Sequence, residues 1–427
     1  MSTTTQTMMR AHVAQRASTM WIWVLIAASG FLALMSGYQL MLNDSLSESW
    51  PAQISVLLIL WGLLYTFATK KLFGTIYLFG SAYLLGLVIF HLGQVMYHGL
   101  GIEYFKHYTS GSFAIWLQRA SWASLLSVAC FGLGIAFSVR RRPAPASTLP
   151  PEVIARNHRA TLAGAYWLGV GFLMAAIAGL GLTFMTVGNI FAFSRTEYFG
   201  GLGDTRGFGL FLLAAPSAAV LMVVGARKRS QLIMSFLIAA FIGGMLMLLG
   251  YRSSALFSGL VGAVVWVKVG RKIPMVTAVV AILVVLTAIP TVRVLRQMGA
   301  AEDISSEKIK EAYEASSSRE VILEIGGTNG ILAHVLQWVP KEESFWYGSS
   351  YGWAVSNAVP NLGLNISQAV QDQNKVGDSL DQLRGGNPSR WYIFKVNRWK
   401  FDRGQGAGFS TIAEPYLNFG WAGVIVF

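Results

Sequence analysis

The sequence predicts an all-α integral membrane protein that crosses the bilayer many times and carries one large loop on the face opposite the cytoplasm. Three observations lead there. The 427 residues are 54% hydrophobic and only 12% charged, apolar runs of spanning length recur through roughly the first 290 residues, and Lys and Arg crowd into every second connection between those runs. So little polar surface cannot coat a water-soluble globule of this size. A helix needs about 20 residues to cross a hydrocarbon core about 30 Å thick. The runs do not alternate apolar and polar as the strands of a membrane barrel must. They carry Gly freely, which water-soluble helices tolerate poorly and membrane helices use for close packing.

In chain order the runs are Met20–Met41, Ile54–Ala68, Leu72–Met96, Ala114–Val139, Leu162–Thr183, Leu210–Val224, Leu232–Leu249, Ala255–Val267 and Pro274–Ile289, with a tenth starting near Leu417. Residues 1–290 therefore read as a transmembrane domain of nine spans, 291–418 as the large loop, and 419–427 as the start of a further span. The stretch NFGWAGVIVF opens an apolar helix that stops after a turn or two, which leads us to expect more spans beyond it. The first run is too long for a typical signal-peptide core and reads as a retained helix.

Loop charge orients the chain. One alternate set of connections holds Arg10, Arg16, Lys70, Lys71, Arg140, Arg141, Arg142, Arg156, Arg159, Arg227, Lys228, Arg229, Lys268, Arg271 and Lys272. The other short connections hold Lys106, Arg195, Arg206 and Arg252. By the positive-inside rule the first set, and with it the N-terminus, is cytoplasmic. The net charge of +13 is thus a topology signal and not a nucleic-acid surface. RRRPAPASTLPPE is a Pro-rich cytoplasmic spacer between helix groups. The only cysteine, Cys130, lies inside an apolar run, which leaves no disulfide framework and no thiol metal site.

The large loop changes character along its length. AEDISSEKIKEAYEASSSREVILEI is polar with helical spacing; beyond Gly326 the loop is rich in aromatics, Gly and Asn. Structureless loops of this length are unusual, so short helices packed on the outer face of the membrane the chain spans are expected.

The chain has no GKS/T phosphate loop, no HExxH and no Cys/His cluster, so nucleotide-driven transport and zinc hydrolysis lose their best-known signals. Its outward-facing arginines suit a lipid-linked phosphate or diphosphate, because a guanidinium pairs with phosphate in bidentate fashion. Arg206 precedes a helix start in GLGDTRGFG, Arg195 shares that connection, and Arg252 lies between two spans in LLGYRSSAL. The bland alternative is that each snorkels to lipid headgroups. RWYIFKVNRWKFDRGQGAGFSTIAEPYLNFG combines cations including Arg403, aromatic rings and Gly turns, a mixture that suits sugars as well as an interfacial aromatic belt. It places Glu414 at the mouth of the last helix, where a carboxylate is costly unless paired; a general base and an arginine partner are both open. His334 is the only histidine of the large loop and could be structural or catalytic, while His91 and His107 have less to recommend them.

Two segments carry a family resemblance. Gly404–Gly423, GQGAGFSTIAEPYLNFGWAG, resembles the signature near the end of the large periplasmic loop in O-antigen polymerases of the Wzy type. Pro340–Gly363, PKEESFWYGSSYGWAVSNAVPNLG, is similar to the pattern upstream in the same family. The resemblance implies a GT-C-like glycosyltransferase of the bacterial inner membrane whose active site faces the periplasm. It would move a growing glycan from its undecaprenyl diphosphate carrier onto a sugar of another carrier-linked repeat unit. On that reading Arg206 and Arg252 hold the diphosphate, Arg195 and Arg403 support them, and Glu414 or His334 takes the hydroxyl proton. No cofactor, metal or nucleic acid is implied. Membrane lipid, the lipid-linked oligosaccharide, and a chain-length regulator and flippase of the same pathway are the implied partners. Rival readings are an O-antigen ligase, a flippase or transporter for the same glycolipids, and a non-enzymatic partner of an export complex; the paired broken helices or repeats common in transporters are not evident.

Overall fold

The computed structural model describes residues 3–42, 45–73, 76, 79–140, 151–187, 206–248, 252–268, 273, 291, 294, 305–315, 326–358, 380–402 and 408–426. Among them every regular element is a helix. The first part of the chain forms α1 (Thr3–Leu42), α2 (Trp50–Phe73), α3 (Phe79–Gly99), the short α4 (Lys106–Thr109), α5 (Ala114–Arg140), α6 (Pro151–Val187), α7 (Arg206–Gly225), α8 (Arg229–Leu248) and α9 (Arg252–Lys268). Seven of these contain a stretch long and apolar enough to cross a membrane. The helix α9, with 17 residues, falls just short of the usual spanning length, and the run Pro274–Ile289 lies outside the described residues. The third helix begins at Phe79 and not near Leu72, because α2 continues through Lys70 and Lys71 to Phe73. Cations in the last turn of a helix complement its dipole, so they extend α2 where a hydropathy boundary would have closed it.

Large apolar side chains stay uncovered along these helices: Leu34, Phe67, Met185, Leu213 and Phe241 are all more than half exposed. Such faces are stable only against lipid. Inside, hydroxyls close on their own helix, with Ser36, Ser55, Ser121, Ser124 and Thr183 each donating to the carbonyl four residues back. This satisfies the hydroxyl where no water is present.

Two apolar cores form. One joins α1, α2, α3 and α5 to the helices of the large loop; the other joins α6, α7 and α8. They divide on either side of residues 141–150, the segment read as a Pro-rich spacer, which itself lies outside the described residues. In the second core α6 and α7 pack backbone to backbone. A Cβ added at Gly179 would come within 2.6 Å of the Gly207 carbonyl oxygen, and one at Gly207 within 2.6 Å of the Gly179 carbonyl oxygen. Only glycine permits that approach.

The large loop contributes α10 (Ser306–Ala315), α11 (Thr328–Trp338), α12 (Ser349–Ala358), α13 (Leu380–Leu383), α14 (Pro388–Val396), α15 (Arg398–Asp402), α16 (Ala413–Phe419) and α17 (Trp421–Val426). Short helices are what the sequence predicts. Their placement is not: the loop sinks into the bundle. Asn329 Nδ2 donates to Ser121 Oγ at 2.8 Å, Thr328 Oγ1 donates to the Phe90 carbonyl, and His91 Nε2 meets Ser410 Oγ at 2.8 Å. At 1.5 Å per residue, Ser121 lies about 10 Å along α5 from its first residue and His91 about 12 Å from the end of α3. Polar side chains inside apolar helices need partners, and here the loop provides them.

Candidate functional site

The site is built where two distant segments of the large loop clamp each other. The downstream segment is α16. Ser410 Oγ accepts from the backbone N–H groups of Ile412 at 3.2 Å and Ala413 at 2.9 Å, which caps the helix start. Pro415 sits in the first turn, where its missing N–H costs nothing. Gly420, with φ of 61°, ends the helix, and α17 sets off from it in a new direction.

The last carbonyls of any helix lack an intrahelical partner. For α16 the turn at Trp346–Gly348 supplies donors: Trp346 N–H reaches Leu417 O at 3.0 Å, and Tyr347 N–H reaches Asn418 O at 3.0 Å. That turn runs through consecutive positive φ values at Tyr347 (49°) and Gly348 (90°), and a Cβ on Gly348 would stand 3.2 Å from the Phe419 ring. Side chains lock the pair. Asn418, fully buried, accepts from Gly348 N–H at 2.9 Å and donates to Ser350 Oγ at 2.8 Å and Glu414 O at 2.9 Å. Ser350 Oγ in turn donates to Glu414 Oε1 at 2.8 Å.

The outcome is a carboxylate fixed at one oxygen by a buried serine hydroxyl, with its second oxygen a geometrically distinct acceptor. Tyr351 stacks on Phe419 at 6.1 Å. Its phenol is pushed up to about 12 by burial, then by the Glu414 carboxylate, then by Tyr83 of α3, so it remains a neutral donor beside the negative charge. A carboxylate held in this way can accept a proton from a substrate hydroxyl.

The other predicted residues distribute differently. His334 lies in α11 inside an aromatic cage: Phe113 at 4.3 Å, Trp338 at 5.2 Å and Tyr392 at 5.8 Å between ring centroids. The Tyr392 hydroxyl is 3.2 Å from its Nδ1. Burial holds the imidazole below its ordinary pKa, partly offset by a hydrogen bond to the Gly330 backbone. It belongs to a cluster separate from the Glu414–Ser350–Asn418 network. Arg206 and Arg252 are the first residues of α7 and α9; their side chains, and the whole of Arg195 and Arg403, lie outside the described residues.

Several residues that matter to the geometry escape sequence reading. Ser350 and Asn418 are ordinary polar residues until their segments meet. His91, given little weight above, holds the cap residue Ser410: its Nδ1 hydrogen-bonds Leu87 O at 3.1 Å and its Nε2 faces the Ser410 hydroxyl. Glu343 is 3% exposed and accepts from Arg384 Nε at 2.8 Å and Lys395 Nζ at 2.9 Å, pinning the turn before Trp346 to α14. Lys395 also lies 4.5 Å from the centre of the Trp338 ring. Arg119 had a visible signal, a cation inside an apolar run.

A family model described as O-antigen polysaccharide polymerase Wzy matches residues 20–427, nearly the whole chain. No curated protein and no protein of solved structure matches it.

Proposed function

The chain belongs to the O-antigen polysaccharide polymerase Wzy family, and from that premise we propose that Glu414 is the general base of a lipid-linked glycan transfer on the periplasmic side of the bacterial inner membrane. The membership and the apolar helices together make it a multi-pass membrane protein that polymerises O-antigen repeat units. The finer chemistry rests on one observation: residues 346–350 and 414–418, within the two segments that carry the resemblance, pair directly, and their contact fixes the Glu414 carboxylate on Ser350.

In the reaction a sugar hydroxyl of one carrier-linked repeat unit attacks the anomeric carbon of the glycan on another. The new glycosidic bond forms as the bond from the anomeric carbon to the undecaprenyl diphosphate breaks, and the diphosphate leaves with that electron pair. The hydroxyl proton passes to Glu414, a transfer that a carboxylate in hydrogen-bond reach accelerates by about 10²–10⁴-fold. Arg206 and Arg252, with Arg195 and Arg403 in support, neutralise the departing diphosphate. His334 stands in its own aromatic cage of Phe113, Trp338 and Tyr392. The GT-C-like class, the nine-span domain at 1–290, the periplasmic loop at 291–418 and the further span from 419 belong to the same proposal. So do a chain-length regulator and a flippase as partners.

The test is the lipopolysaccharide profile of a deletion strain complemented with Glu414→Gln. Loss of polymerisation leaves cores capped with single repeat units. Bare core in the deletion strain would mean ligation, and full-length polymer with Glu414→Gln would remove the assigned base.

A further inference from the structure

Glu414 serves as a base only if α16 holds it in one place, and the cap that starts α16 is oriented by a histidine of a membrane helix. Resting on the reading of Glu414 as base, we propose that His91 of α3 is a positioning residue for the glycan transfer. It fixes the Ser410 hydroxyl, and through Ser410 the backbone that carries Glu414.

The geometry places the protons. Ser410 Oγ lies 3.2 Å from Ile412 N and 2.9 Å from Ala413 N, and these backbone groups can only donate. They occupy both lone pairs of the hydroxyl, which is left with one proton to give. That proton goes to His91 Nε2 at 2.8 Å, so Nε2 is the acceptor. Nδ1 stands 3.1 Å from the Leu87 carbonyl oxygen and must carry the ring proton, because a carbonyl cannot donate. The Leu87 bond thus selects the tautomer that leaves Nε2 free to accept. Both ring nitrogens and all three capacities of the hydroxyl are used once.

Ser410 also reaches Glu414 through the backbone. Its carbonyl accepts the Glu414 N–H at 3.0 Å, the first bond of the helix, while its hydroxyl serves two of the N–H groups that a helix start leaves without partners. His91 is 2% exposed and Ser410 1%, so water does not stand in for either. The neighbouring residue of α3 does the same for α11, with the Phe90 carbonyl accepting from Thr328 Oγ1. Two consecutive residues of one membrane helix therefore hold the starts of two loop helices. That helix is a firm post, since α3 packs on α2 and on α5. Glu414 lies one turn beyond Ser410 and is gripped from the other segment by Ser350. Release of the cap frees the carboxylate to shift, and a misplacement of about 1 Å can cost about a hundredfold in rate.

The experiment uses the full chain in nanodiscs with the carrier-linked repeat unit as substrate. It reads kcat per folded chain, KM, melting temperature and hydrogen exchange of the amides of residues 412–414. Substitutions separate the two ring nitrogens: Gln sets an amide oxygen where Nε2 stands, Asn sets an amide nitrogen where Nδ1 stands, and Phe keeps the ring with neither. His91→Phe and His91→Asn are expected to lower kcat by about tenfold or more with KM within about twofold of the parent. Exchange at 412–414 should accelerate by about fivefold, the worth of one cap. His91→Gln should recover most of kcat, and Ser410→Ala added to His91→Phe should cost little more than either alone. A histidine that served only the core would lower the melting temperature and leave kcat per folded chain unchanged. Parental kcat and parental exchange in His91→Phe, or His91→Gln no better than His91→Asn, overturn the proposal. The two readings fail separately. Parental kcat in Glu414→Gln, with faster exchange in His91→Phe, removes the base and spares the cap; loss of kcat in Glu414→Gln, with His91→Phe like the parent, does the reverse.

Discussion

Asn418→Ala tests the pairing on which the site depends. The residue is fully buried and makes three hydrogen bonds: one accepted from Gly348, two donated to Ser350 and to the Glu414 carbonyl. Each is worth about 1 kcal/mol net, so their loss costs about 3 kcal/mol, or roughly 150-fold in the ratio of closed to open pairing. The backbone bonds from Trp346 and Tyr347 remain, and the core below does not involve Asn418, so the cost is local. Hydrogen exchange of the peptide around residues 344–352, followed by mass spectrometry in nanodiscs, should accelerate by about that factor while α5 and α7 stay unchanged. Ser350→Ala alone removes the hydroxyl between Asn418 and Glu414 and should cost about 1.5 kcal/mol. The double variant should fall short of the sum, because the two side chains share a bond. Exchange within twofold of the parent in Asn418→Ala, or strict additivity in the double variant, would refute the network as drawn.

Three further outcomes are expected. Glu343→Ala takes the buried carboxylate from Lys395, which keeps only the 57% exposed Glu342 at 3.5 Å; breaking a buried pair costs about 3–5 kcal/mol, and that second partner together with the 39% exposure of Arg384 puts this case at the lower end, readable as a lower melting temperature. His334 is held neutral by burial, so protonation opposes folding. Loop stability should be full above about pH 6.5 and decline as pH falls below the unfolded value toward the depressed folded one, and His334→Phe, measured by hydrogen exchange of α11 between pH 7 and 5, should flatten the decline. Gly179→Ala brings a methyl to within 2.6 Å of the Gly207 carbonyl oxygen and should lower the melting temperature by an overpacking cost of about 1–3 kcal/mol, through separation of α6 from α7.

Lipid-facing helices announce themselves in composition. That is why the apolar runs Met20–Met41 through Leu232–Leu249 map onto α1–α8, short α4 aside, although α1 and α6 begin well upstream of their runs, at Thr3 and Pro151, and α3 begins later than its run, at Phe79. Gly179 and Gly207 could be read as packing residues in general, but not as partners, since their contact joins helices across a connection whose path the sequence does not describe. Glu414 was legible as a carboxylate at a helix mouth because burying charge is expensive in any fold. The residues that hold its carboxylate were not: Ser350 lies 64 positions away and Asn418 reads as part of an apolar segment. Nor was it visible that His91 caps α16 through Ser410. Hydropathy and charge act locally and additively along the chain, so the sequence by itself determined the membrane class and the helices, including the short ones expected in the large loop. Hydrogen-bond networks and cation pairs need groups within about 3–6 Å that the chain separates by many residues, so only the tertiary structure decided how that loop sinks into the bundle and sets Glu414 on Ser350.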